Sequence, residues 1–274
     1  MKKLIHFVWL FAISAFVLHA QSDCGTIVTT KQVQLESTFV DSVSEIINLE
    51  KRIYLSAHIV KDESGGNGID ASTINSAIYN LNQVFDKIGL HFTLLNTTTI
   101  VDYNYNTVVY GNQDMKLSAF SSIDNTINLY FVNNLFSIAD AQVSAYTFMP
   151  ADNKDFIFFA KDSFNYVVLA EQIGHFFNLY HTHETVFGKE LADQSNCNSA
   201  GDLCCDTYAD PDLLGIVSEK CGYLGTAKDS QNNYYAPSVH NFMSSSVSAC
   251  KCFFSDEQYI RMINAVLKLK THLW

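Results

Sequence analysis

The sequence predicts an α+β fold. Three observations carry this: separated β-branched and aromatic runs in the first two thirds, a helical apolar period after Asp70, and a long irregular, cysteine-rich stretch closed by a capped helix. The 274 residues are 48% hydrophobic with only three prolines, no internal repeat and no low-complexity linker, a composition that supports one large core and excludes disorder.

The first element is a leader. Lys2 and Lys3 precede an apolar stretch from Leu4 to Leu18 and the small Ala20, the layout of a secretory signal peptide over residues 1–20. No lipobox precedes Cys24, and no later apolar run reaches the roughly 18 residues of a membrane span. The expected product is exported, secreted or periplasmic, with no membrane anchor after cleavage. Loss of the two leader lysines takes the formal charge from −11 to −13, which argues against nucleic acid as a partner. A segment over 21–50 follows, and then a folded unit over 51–274.

Within that unit Arg52 to Lys61 reads as a strand, and Ser64 to Gly68 supplies turn residues. Asp70 or Ser72 then caps a helix, on which Ile74, Ala77, Ile78, Leu81, Val84, Phe85 and Ile88 form one apolar stripe. His91 to Leu95, Thr126 to Asn133 and Asp155 to Ala160 are further strand candidates. A helix begins near Asn165 and ends at Asn178, since asparagine tolerates the left-handed backbone of a helix terminus. An irregular region spans Thr182 to Ala249. The closing helix has Ser255 and Gln258 spaced as a capping box, with Met262, Ile263, Val266 and Leu267 on its apolar face.

All seven cysteines lie beyond the leader, and six of them, Cys197, Cys204, Cys205, Cys221, Cys250 and Cys252, crowd the last third. In an exported chain they are disulfide candidates. A second zinc site is the weaker alternative, because neither Cys204-Cys205 nor Cys250-x-Cys252 has knuckle spacing. Connectivity stays open, and the odd count leaves a thiol over.

The run Val167 to Glu184, VVLAEQIGHFFNLYHTHE, is laid out on the zinc-protease pattern H-E-x-x-H-x-x-G-x-x-H. Glu171 stands at the first ligand position, Gln172 at the general base, and Asn178 at the glycine; His175 and His181 match. Glu171 and His175 are four apart and share a helix face, and His181 reaches the same point after the turn. Two metal readings stay open: a weakened Glu/His/His zinc site, or two relic histidines beside a solvent-facing Glu171. Gln172 has no basic oxygen, and general acid-base catalysis is typically worth about 10²- to 10⁴-fold. His183 and Glu184 read as supporting or packing residues, and His58, His91, His240 and His272 as structural or exposed.

With GDLCCDT at Gly201 to Thr207, the Asn241-Phe242-Met243 of a Met-turn, and FFSDEQYIRM at Phe253 to Met262, these landmarks stand in the order of the pappalysin family of metzincin zinc metalloproteases, which the chain resembles from about Arg52 to its end. The resemblance implies a zincin-like, two-lobed catalytic fold. An upper lobe over about 51–178 would hold a twisted mixed sheet with backing and active-site helices, and an irregular lower lobe over about 179–274 would carry the disulfides and the last helix. It implies zinc on Glu171, His175 and His181, an apolar floor from Met243, and calcium on Asp202, Asp206 and Thr207. It also implies that an extended peptide or protein is held by strand addition, with the edge strand expected between Thr147 and Ala160. Ser245 stands where the family has an oxyanion tyrosine, and is too short for that role. The expected function is therefore a pappalysin-type homologue with lost or severely reduced peptidase activity that binds extended peptides. The alternative is an active metalloendopeptidase using the Glu/His/His site, with a water chain or Glu184 as base.

Overall fold

The computed structural model describes residues 22–274, so the leader and its cleavage after Ala20 lie outside the described residues. A short strand β1 (Ser22–Cys24) leads into helix α1 (Thr30–Thr38) and then β2 (Lys51–Val60), α2 (Ala71–Phe85) and β3 (Leu90–Ile100). Next come β4 (Thr107–Val109), α3 (Gln113–Ser121), β5 (Ile127–Val132), β6 (Asn134–Phe136), β7 (Val143–Thr147) and β8 (Phe156–Ala160). Helix α4 (Tyr166–Phe176) and the C-terminal α5 (Asp256–Lys268) flank a long region of turns.

The main sheet runs β1-β7-β8-β5-β2-β3. Every pairing in it is parallel except β7 with β8. The strand expected at Arg52 to Lys61 is β2, paired on both sides, and its inner residues Leu55 to Val60 are buried. Asp70, rather than Ser72, caps α2 by accepting the Thr73 amide at 2.7 Å, while Ser72 donates to Asp70. The apolar stripe buries Ile74, Ala77, Ile78, Leu81 and Phe85, each large side chain stabilising by roughly 1.5–3 kcal/mol. Asn82 fixes the register of α2 on the sheet through the amide and carbonyl of Phe92. Gly89 (φ 61°) makes the turn into β3, and a Cβ there would meet Asn48 Oδ1 at 1.6 Å.

Helices α2, α4 and α5 share one core with one face of the sheet, and the opposite face packs Tyr130, Tyr146 and Phe158 with α3 and the small β4-β6 ribbon. The capping box of α5 is present as expected. The lower region carries two disulfides, Cys197–Cys205 and Cys221–Cys250. Two of the six disulfide candidates are therefore corrected. Cys204 is a buried thiol whose neighbour Cys205 takes the bond to Cys197, and Cys252 points to solvent.

Two further expectations change. The edge strand expected between Thr147 and Ala160 is not found there: that window holds β8 and the last residue of β7, both inside the sheet, whose outer strands are β1 and β3. The described part of the 21–50 segment packs against both lobes. Gln32 donates to Asn178 Oδ1 at 2.6 Å and Tyr180 Oη at 2.9 Å, Glu36 pairs with Arg261 of α5, and Asn264 bonds the backbone of Ser42 and Val43.

Asn178 does two jobs at the end of α4: its backbone is left-handed (φ 75°) and its side chain holds Gln32. Asn178→Ala adds a left-handed penalty to a stranded buried amide and is expected to cost about 2–4 kcal/mol. Asn178→Gly, which keeps the backbone, should cost roughly half as much. Urea unfolding midpoints check this ranking.

Candidate metal centre

Helix α4 is built to carry polar groups through a dry core. Asn165 caps it by accepting the amides of Val167 and Val168, and every residue from Val167 to Phe176 is buried. Gly174 lets the helix sit on the Met-turn: a Cβ there would lie 2.7 Å from Met243 Sδ. Met243 thus packs directly against α4 at Gly174.

Glu171 points inward, so the solvent-facing reading of its side chain is overturned. One carboxylate oxygen lies 3.5 Å from His181 Nε2, and the other accepts a hydrogen bond from Lys251 Nζ at 2.9 Å. Burial pushes the Glu171 carboxyl up, but Lys251 and His181 outweigh it and hold it at about 2. His175 donates from Nδ1 to the Leu179 carbonyl at 2.9 Å, which leaves Nε2 facing the cleft, 3.0 Å from His181 Nε2. Burial opposes charge on His181, yet Cys24 and Glu171 raise it to about 10. His183 stacks on His181 with ring centroids 4.8 Å apart, and burial with the charge on His181 lowers it to about 4.

The unforeseen member is Cys24. Strand β1 adds to the edge of the sheet in parallel with β7, pairing Cys24 with Ala145, and this puts Cys24 Sγ 3.5 Å from His175 Nε2. Burial opposes the thiolate, but His181 and His175 win and lower the Cys24 thiol well below the ordinary thiol range. Among the described residues, one group of three or more potential ligands has its donor atoms within 4.8 Å of one another: Cys24, Glu171, His175 and His181. One thiolate, two imidazoles and a carboxylate in that compass fit a tetrahedral zinc, with the His175–Leu179 bond orienting a ligand from outside. In the sequence Cys24 belongs to no ligand motif, and nothing there places its strand beside α4.

The base position is occupied by an amide in a fixed network. Gln172 Oε1 accepts from Thr26 Oγ1 at 2.9 Å and its Nε2 donates to Cys24 Sγ at 3.3 Å. Glu184, the suggested substitute base, instead accepts the amides of Thr185 and Val186 and lies outside the small cavity, of about 80 Å³, that Cys24, Glu171, His181, Asp212 and Lys251 line. Ser245 borders this cavity, donates to Asp212 and accepts the Leu213 amide at 2.7 Å.

In the lower lobe Asp202 is buried and accepts from the Cys204 amide and Thr207 Oγ1. Asp206 instead accepts the Glu257 amide at the start of α5. Facing Asp202 is Glu190, which sequence reasoning missed; both its carboxylate oxygens are buried without a hydrogen-bond partner. Burial, with Asp202 and Asp210 nearby, pushes Glu190 up to about 8, and burial pushes Asp202 to about 7.

No protein-family model matches the chain. In sequence it is similar to an extracellular metalloprotease of Arthroderma gypseum, 27% identical over 281 residues that cover 93% of this chain and 88% of that protein. In structure it is similar to mature mirolysin of Tannerella forsythia, solved in complex with a cleaved peptide, with a TM-score of 0.58 and 17% identity over 84% of this chain and 96% of that one. The architecture is the zincin-like, metzincin fold, and the chain's similarities in sequence and fold are to metalloproteases.

The lowered Cys24 thiol gives a direct check. Between pH 8 and pH 6 an ordinary thiol loses about tenfold in alkylation rate per pH unit. Cys24 labelling by iodoacetamide, followed by mass spectrometry, should fall less steeply than that, and buried Cys204, whose thiol burial pushes up, should not label. A tenfold fall per unit at Cys24 would contradict the charge network described.

Proposed function

We propose that this chain is an exported metallopeptidase homologue of pappalysin type whose cleft retains a zinc donor set but whose peptidase activity is lost or severely reduced, and that it binds extended peptide segments. The carrying observation is Gln172. Its amide is buried, neutral and committed to Thr26 and Cys24, so nothing at that position can take a proton from an attacking water. Glu171, His175 and His181, with Cys24 from the N-terminal strand, would hold the ion. Zinc held by all four would have no open position for an acidified water, and could supply one only with Cys24 withdrawn. Ser245 is tied to Asp212, which fits the loss of an oxyanion donor there. Export is supported by the leader, the two disulfides and the extracellular relative.

Peptide binding is supported by β1, an extended segment seated on the β7 edge and running past α4. Mirolysin was solved with a cleaved peptide, and strand addition of this kind uses backbone bonds that any extended sequence can make. We also propose calcium in the lower lobe, on Asp202 and Thr207 as expected but with Glu190 rather than Asp206. The two stranded oxygens of Glu190 support this.

The test of activity is peptide-library cleavage with zinc and calcium supplied, comparing the natural chain with Glu171→His/Gln172→Glu, each assayed both with Cys24 intact and with Cys24→Ala so that a block of the cleft by the β1 thiol shows itself. The natural chain is expected to be silent and the revertant to cut. Chelator-sensitive cleavage by the natural chain at ordinary enzyme rates would favour the Glu/His/His enzyme instead.

Calcium has its own readout. Carboxyls raised in the folded state hold their protons more tightly than in the unfolded chain. The stability they contribute is full below about pH 4 and is lost as pH rises through about 7 and 8, the positions of Asp202 and Glu190. The melting temperature of chelated protein should therefore fall between pH 5 and pH 8.5, with calcium restoring it at the higher pH. Glu190→Gln should flatten the slope; an unchanged slope in that variant would remove Glu190 from the account.

A further inference from the structure

Lys251 borders the cleft as a cation that cannot serve as a metal donor while it is charged. Its side chain is 2% exposed and its ammonium sits 2.9 Å from the Glu171 carboxylate, bordering the same small cavity as Cys24, His181 and Asp212. Its backbone is rigidly aimed. Cys250, the residue before it, is bonded to Cys221, the Lys251 amide donates to the Ser248 carbonyl, and the following Cys252 amide donates to His240 at 2.8 Å. Asn241 and Phe253 form a parallel bridge just beyond. The disulfide and the Met-turn thus present a lysine to the first ligand position of α4.

We propose that Lys251 is the built-in cation of the cleft: its ammonium compensates Glu171 when no metal is bound and opposes the entry of a divalent ion. The inference rests on the reading of Cys24, Glu171, His175 and His181 as a metal-donor set. Two physical arguments carry it. A buried carboxylate must be paired, and an isolated one in the core is strongly destabilising. An ammonium held on the far oxygen of a ligand also lowers that ligand's electron density and repels an incoming dication through a medium of low dielectric. A histidine at position 171 would need no such partner, so glutamate and lysine act as a unit in which the lysine restores the charge balance of a neutral ligand. His181 pairs with the other oxygen of Glu171 at the longer distance of 3.5 Å, and Asp212 and His183 border the same space without a bond to Glu171 that replaces the one from Lys251.

The experiment uses residues 21–274 as natural chain, Lys251→Met, and Glu171→Gln/Lys251→Met, with two readouts. The first is the dissociation constant for Zn²⁺ by competition, and for Co²⁺ by the visible spectrum, in which Cys24 ligation adds a thiolate-to-metal band. Lys251→Met is expected to bind at least tenfold tighter than the natural chain. Equal or weaker binding would overturn the proposal and make Lys251 an orienting partner that strengthens Glu171 as a ligand. The second readout is thermal stability in chelator. Lys251→Met is expected to melt at least 5 °C below the natural chain, or to fold only when Zn²⁺ is added, and the double substitution to recover most of the loss. Lys251→Met as stable as the natural chain would sink the proposal independently. If no form binds either metal, the metal-donor reading fails, and the stability comparison alone then decides whether Lys251 is the compensating cation.

Discussion

The arrangement of the cleft depends on one buried anion. Glu171 lies on a helix whose every inward position is dry, so its charge must be met within the fold. Lys251 and His181 meet it, and each brings an element with it. Lys251 commits the Met-turn region and the Cys221–Cys250 disulfide to the underside of α4. His181 commits the chain beyond Asn178 to fold back across the helix end. Removing one partner of such a buried pair typically costs about 3–5 kcal/mol, more than the margin most single residues control.

A second consequence is the place of the N-terminal strand. A cleft containing His181 and Lys251 as cations beside Glu171 attracts a further anion, and the Cys24 thiol, delivered by β1 along the β7 edge, supplies it. Gln172 belongs to the same arrangement. A carboxylate at that position would face the Cys24 sulfur 3.3 Å away, whereas the amide donates to it. An amide at position 172 thus makes a good seat for the thiol.

How much of this was legible in the sequence follows from the range of the interactions. Local signals translated directly: the Asp70 cap, the α2 stripe, the Ser255–Gln258 capping box and the helix stop at Asn178 each depend on residues a few positions apart. The strand edge was misjudged because an apolar run does not say which strand a distant segment will cover. Phe156 to Ala160 and Val143 to Thr147 are both fully buried, the latter because β1 covers it. Cys24 and Lys251 were missed for the same reason. Each is 80 residues or more from its partner on α4, and the flanking cysteines drew attention away from the lysine between them. The bond from the Glu257 amide to Asp206 and the buried, unpartnered carboxylate of Glu190 both arise from tertiary packing, and Glu190 carries no motif at all.

The central claim is that internal charges, rather than a metal, hold the cleft together. Amide hydrogen exchange along 170–177 of α4, measured with excess zinc and with excess chelator, tests it most directly. Equal slow exchange in both conditions is the predicted result, since the Glu171–Lys251 pair is intact in each. Exchange accelerated a hundredfold or more on chelation would mean that the helix depends on a bound ion, and would contradict the account.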